Sequence, residues 1–209
     1  MLNRMWHRLS RHGLVGTLGY VFGAVLVERL GFSVRCVYHG APEPSPVGTA
    51  GYDIAVLNSM RDLSHEDRAG LLEHGGHALL KLFGENFSNG NICVVTRIDG
   101  EIACACWLAR TDGFSSAHPG PRTLIEQCFT VHQHRGKSLY PLTLRHTRYW
   151  ANQFSGCEDL LIETSVFNKS SIRGILKAGF QRIGTAIVIG EGWGFPRWWT
   201  AKRYFFAKK

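Results

Sequence analysis

The sequence predicts an α/β domain built on a mixed, mostly antiparallel central sheet flanked by helices, with an extra amino-terminal helical segment. Three observations lead there. Asp99-Gly100 stands between two apolar runs, residues 92–98 and 101–109, and is the strongest short hairpin signal in the chain. Two strand–loop–helix units follow one another at residues 124–154 and 160–178, a pattern that calls for a helical crossover in the sheet. A length of 209 residues with 44% hydrophobic and 19% charged content suffices for one well-buried domain and is that of a folded globular protein, not by default a disordered chain.

In chain order, Arg4, Arg8 and Arg11 precede an apolar stretch over residues 14–27 that Gly16, Gly19 and Gly23 interrupt and Glu28 and Arg29 close. That stretch is short of the ~20 apolar residues of a spanning helix and lacks an A-x-A-like cleavage site. Residues 1–40 are therefore expected to form an apolar, basic helical extension packed on the domain or on a neighbouring subunit. A membrane-surface helix over residues 1–30, anchored by Trp6 and the arginines, is the alternative reading, and a cleaved signal ranks last. Residues 41–51 concentrate three of the seven prolines and read as a linker, so the folded domain is expected over residues 52–209.

Within that domain, residues 52–58 suit a strand. Ser64, followed by Asp67 three residues on, is an N-cap opening a helix to Phe83 with Leu71, Leu72, Leu79, Leu80 and Phe83 as its buried stripe. The hairpin comes next, then a Gly/Pro/Ser-rich loop over residues 111–121 and a strand over 124–131. A loop on Arg135-Gly136 leads into a helix to Phe154. Residues 160–166 read as a strand, 169–178 as a helix, and 183–189 and 204–206 as closing strands.

Lys plus Arg number 24 against 16 Asp plus Glu, a net charge of +8, which favours anionic partners. The excess is not gathered into a run and nucleic-acid signatures are missing, so nucleic acid is not an expected partner. The six cysteines form no C-x-x-C pair and no framework, as in a reduced cytosolic protein. Cys104 and Cys106 share a strand face without further spaced ligands, so no metal is expected.

The loop after Val131 carries the most information. A Gly-containing loop between strand and helix can turn its backbone N–H groups on a pyrophosphate, with the helix dipole and Arg135 or Lys137 adding positive charge. Gln133-His134-Arg135-Gly136-Lys137-Ser138 also fits the pattern Q/R-x-x-G-x-G/A with Ser in the last small position, and Asn168 precedes the Phe of Gly179-Phe180 by twelve residues. On these two motifs, residues 52–190 resemble the GNAT superfamily of acetyl-CoA-dependent N-acetyltransferases.

The resemblance implies acetyl-CoA or another acyl-CoA as co-substrate and transfer of the acyl group to an amine. Its pyrophosphate would lie on Gln133, His134, Arg135, Gly136, Lys137 and Ser138. Its pantetheine arm would pair with the strand at Cys128, Thr130 and Val131, with Asn168 and Ser171 on the other side; Asn168 also reads as a plain helix N-cap. Glu126, a carboxylate inside an apolar strand, is the candidate base, since an ammonium must lose a proton before it attacks; binding the substrate's ammonium is its alternative role. Many members carry a Tyr seven residues after the Asn as general acid. Here that position is Ile175 with no obvious replacement; a coenzyme A thiolate is a tolerable leaving group, so the alternatives are water or a substitute among Tyr140, His132 and His134, of which Tyr140 is taken as the candidate.

The Gly136-to-Pro141 wording is similar to members linked to bacterial polysaccharide biosynthesis, which suggests an amino sugar or sugar nucleotide as acceptor. An acyl-carrier protein with a long acyl chain as donor, and a non-catalytic binding module, are the alternatives. Residues 191–206, with Trp193, Arg197, Trp198, Trp199, Lys202 and Arg203, are read either as an acceptor pocket or as a hydrophobic edge or homodimer contact. The expected location is the cytoplasm, free or at the inner face of the membrane.

Overall fold

The computed structural model describes residues 32–44, 48–49, 51–115, 118–155, 159–189 and 202–208. Strands β1 (Phe32–Gly40), β2 (Asp53–Leu57), β3 (Ile92–Ile98), β4 (Glu101–Ser115), β5 (His118–Thr130), β6 (Leu160–Ser165), β7 (Gln181–Ile189) and β8 (Lys202–Ala207) form one sheet. Their order is β2-β3-β4-β5-β6-β1-β7-β8. All neighbours are antiparallel except β5 and β6, which run parallel. Among the described residues three α-helices accompany the sheet: α1 (His65–Ser88), α2 (Leu139–Ser155) and α3 (Lys169–Lys177).

Local chemistry accounts for the element ends. The Ser64 side chain accepts from the Asp67 N–H and the Asp67 carboxylate accepts from the Ser64 N–H, a complete capping box for α1. Asp99 and Gly100 both adopt positive φ, 52° and 83°, as a two-residue hairpin turn demands. At the end of α3 the Gly179 N–H donates to Leu176 O and the Phe180 N–H to Ile175 O, a Schellman closure made possible by Gly179 at φ 85°.

Strand alternation divides the core. Ile92 and Val94 pack with Cys106, Leu108, Ile125 and Ile162 beneath Leu144 and Ala151 of α2 and Ile175 of α3. Cys93 and Val95 face the other way, joining Leu71 and Phe83 of α1 around Trp107. Trp107 is fully buried, edge-on to Phe83 and Phe87 with ring centroids 4.9 Å away in each case.

Four expectations need correction. Residues 32–40 are not helical extension but β1, a central strand between β6 and β7. Val37 packs on one face while Cys36 and Tyr38 pack on the other, so no clean apolar–polar alternation marks it as a strand. Residues 41–51 do not join separate units; they carry the chain from β1 to β2 at the sheet edge. Arg148 of α2 holds their first part through the Ala41 carbonyl at 2.8 Å and the Glu43 carboxylate at 2.9 Å. The loop expected over 111–121 is largely strand, because β4 and β5 pair as far as Ser115↔His118. Finally, α1 continues past Phe83 to Ser88 with a break at Gly76, and Leu72 lies exposed.

Residues 1–31 and 190–201, which contain the predicted membrane-facing segment and the tryptophan run, lie outside the described residues. Among the described residues no helix is long and apolar enough to cross a membrane.

Candidate active site

The site begins with a misfit between β4 and β5. Register runs from Ala105↔Phe129 directly to Trp107↔Glu126, so two residues of β5, Gln127 and Cys128, oppose one of β4, Cys106. The extra residue is accommodated at Gln127, whose φ is 48° and whose Oε1 accepts from Asn86 Nδ2 of α1 at 2.7 Å. Such a bulge bends its strand and ends regular pairing. On the other side, β5 pairs with β6 only from Thr123↔Leu160 to Ile125↔Ile162. Beyond Ile125 that edge of β5 has no partner strand among the described residues, and a gap opens between two parallel strands at their carboxyl ends, the usual ligand position in such sheets.

The predicted loop closes the end of this gap. A 3-10 turn, His132–His134, follows β5; Gly136 sits at φ 85° and Ser138 at φ 59°; α2 then begins at Leu139. The N–H groups of Gly136, Lys137, Ser138 and Leu139 donate to no protein acceptor among the described residues. They lie at the positive end of a helix of 17 residues, which is the donor set a pyrophosphate requires. A Cβ at Gly136 would meet nothing within 4 Å, so the space before the loop is open. Arg135 Nε donates to the Thr130 carbonyl at 3.2 Å, and Lys137 Nζ lies 3.2 Å from His134 Nδ1. Burial and the Lys137 charge lower the His134 pKa, leaving a neutral ring able to accept from that lysine.

The two faces of the sheet give the gap two different sides. Cys128 and Tyr140 belong with the α2–α3 core. Tyr140 packs against Gly174, where a side chain would collide with its ring, and its hydroxyl lies 3.2 Å from Ser171 Oγ. Burial pushes the phenol well above its ordinary pKa, so it stays protonated. Asn168 caps α3, its Oδ1 accepting from the Ser171 N–H at 3.2 Å and from Ser170 Oγ at 2.9 Å. Glu126 follows Ile125 and therefore takes the opposite face, next to Trp107. It is half-buried, and burial together with the charge of Glu163 raises its pKa.

The predicted residues do not all gather. Asn168, Ser171 and Tyr140 are linked by hydrogen-bond contacts, Cys128 packs in the same core as Tyr140, and Glu126 lies on the other face of β5. Val131 is spent elsewhere: its N–H donates to Ala103 O at 2.9 Å and its carbonyl accepts from the His134 N–H, so its backbone has no free donor for a cofactor arm. The Thr130 carbonyl is held by Arg135, its hydroxyl lies 3.4 Å from Cys104 Sγ, and Gln133 turns to His134. Two further residues, Glu163 of β6, whose charge acts on Glu126, and its ion-pair partner Arg35 of β1, were not singled out. The criterion that marked Glu126, a carboxylate in an apolar strand, would have found Glu163. Among the described residues no group of three His, Cys, Asp or Glu side chains is placed to hold a metal ion.

The substitution at position 175 also has a structural reason. Ile175 is fully buried and supplies the hydrophobic partner of Phe180 in the α3 closure. Ile175→Tyr is expected to destabilise the protein by about 1–3 kcal/mol through overpacking, read as a lower midpoint in urea, and not to raise activity.

No family model and no curated protein matches the sequence. Solved structures do. An acetyltransferase of the GNAT family from Colwellia psychrerythraea superposes with a TM-score of 0.53 at 15% identity, over 82% of this chain and 60% of that one. A protein assigned to the same family from Novosphingobium aromaticivorans DSM 12444 superposes with a TM-score of 0.51 at 17% identity, over 75% and 62%. In both, the match spans less than two thirds of the neighbour's own length. At such identities the likeness establishes architecture alone: this chain has the fold of the GNAT acetyltransferases.

Proposed function

We propose that the protein is an N-acyltransferase that moves an acyl group, acetyl in the first instance, from coenzyme A to a small amine. One observation carries the reading: a gap between parallel strands has free loop amides at its end, with a partly buried phenol packed on one face of the sheet and a half-buried carboxylate on the other. A bound acyl-CoA supplies an activated thioester carbonyl. Gly136, Lys137, Ser138 and Leu139 hold its pyrophosphate by their N–H groups, and the unpaired edge of β5 orients the arm.

Glu126 takes the proton that the acceptor's ammonium must lose, directly or through water, on the face opposite Tyr140. The raised proton affinity of its carboxylate makes it the better base. Tyr140, fixed by Gly174 and Ser171, keeps a proton at its hydroxyl on the sulfur side. The sequence-suggested acceptor class is an amino sugar, free or nucleotide-linked.

The test is calorimetric titration with acetyl-CoA, a long-chain acyl-CoA and acyl-carrier protein, followed by chromatographic detection of released thiol against a panel of amines. Saturable binding of a thioester and amine-dependent release are expected. Tyr140→Phe should lower kcat by about tenfold or more with the affinity for the thioester unchanged. Absence of both binding and turnover across donors and amines overturns the reading.

A further inference from the structure

We propose that α3 and the β8 edge form a docking face for an anionic lipid surface, with Tyr204, Phe206 and Leu176 entering among the headgroups and Lys169, Arg173 and Lys177 meeting their charge. The inference goes beyond the reading above and does not depend on it.

Register puts the aromatic side chains on one face. Cys36 of β1 belongs to the α2–α3 core, Thr185 of β7 lies opposite Cys36, and Phe206 of β8 lies opposite Thr185. Val34, Ile187 and Tyr204 form the next row on that face across the same strands. Directly opposed residues share a face, so Tyr204 and Phe206 point to the side of the sheet that carries α3. Phe205, between them, takes the other face with Val37 and Ala186. At the end of the strand order, the two rings are 48% and 55% exposed.

The outer surface of α3 looks to the same side. Lys169, Arg173 and Lys177 recur at every fourth position and are exposed, while Ile175 is buried on the opposite side of the helix. Leu176, 50% exposed, stands among them. None of the three cations makes an ion pair among the described residues. The elements around them are one-signed: β1, α2, α3, β7 and β8 contain no Asp or Glu. Glu43, which reaches α2 from the segment after β1, is already paired with Arg148.

Charge and shape choose the occupant. A second copy would set like charge against like, and the bases of a nucleic acid stack on aromatic rings but make no use of an exposed leucine. Apolar side chains standing out singly among cations suit a headgroup layer, where the rings and the leucine reach the acyl boundary and the cations reach phosphates. This face is distinct from residues 1–30, which lie outside the described residues.

The experiment is cosedimentation of the full chain with vesicles of phosphatidylcholine alone and of equal parts phosphatidylcholine and phosphatidylglycerol. Binding to the anionic vesicles only, weakening as salt rises, is expected. Lys169→Gln combined with Arg173→Gln should weaken it roughly tenfold or more, and Tyr204→Ser combined with Phe206→Ser about tenfold. The charge pair faces solvent and leaves the fold intact, so it decides the matter if the aromatic pair fails to fold. Equal binding to both vesicles, binding to neither, or anionic binding that a folded variant pair retains overturns the proposal. Capture of acyl-carrier protein or duplex DNA through these side chains, with the anionic vesicles left unbound, assigns the face to an acidic macromolecule and overturns it too.

Discussion

Glu126→Gln is expected to lower kcat by about 10²- to 10⁴-fold while thioester affinity and the fold survive. The substitution preserves shape and removes only the ability to take a proton. Its pH profile separates a base from a mere contact. A base works ionised, so wild-type activity should fall as pH drops through the raised Glu126 pKa, and the residual activity of the variant should lack that acidic limb.

Stability should move the other way. A carboxyl whose pKa is higher folded than unfolded is favoured in its protonated form by the fold, so once ionised, above the folded pKa, it costs stability. Glu126→Gln removes that cost, and a melting temperature equal to or above wild type at neutral pH is expected. A variant with unaltered kcat would remove Glu126 from the chemistry without touching the fold.

Gly136→Val tests the other end of the gap. At φ 85° a β-branched side chain is strained by about 1–3 kcal/mol, although there is nothing nearby for it to strike. The loop can relieve that strain only by turning its amides away from their present direction. Coenzyme A affinity should therefore weaken roughly 5- to 150-fold, measured by calorimetry, with unfolding little changed because the loop is peripheral to both cores. Undiminished affinity would mean that the pyrophosphate binds elsewhere.

How much of this was legible in the residues themselves depends on how far apart the partners are. The Ser64–Asp67 capping box, the Asp99-Gly100 turn, the Gly136 loop and the Asn168-to-Gly179 frame of α3 all rest on groups within one or two turns of one another. Each appears in the structure where its chemistry placed it. The mismatch at Gln127 had no such signal, since a bulge is a relation between two strands and Gln is an ordinary residue for either. Position 175 is intermediate: the absence of a tyrosine was plain, but its reason, the packing of Ile175 on Phe180, lies in the helix closure.

By itself the sequence determined the hairpin, the helix caps, the strand–loop–helix units and the presence of a carboxylate in an apolar strand, because propensity, capping and turn geometry act over a few residues. Only the tertiary structure decided that residues 32–40 enter the middle of the sheet, that β5 and β6 part after Ile125, and that Glu163, whose charge acts on Glu126, pairs with Arg35. The last pair is separated by 128 residues, and nothing in local conformational preference records which strand will lie next to which. That choice is made when the two sheet faces are buried together, and it brings Arg35 to Glu163 and Glu163 within reach of Glu126.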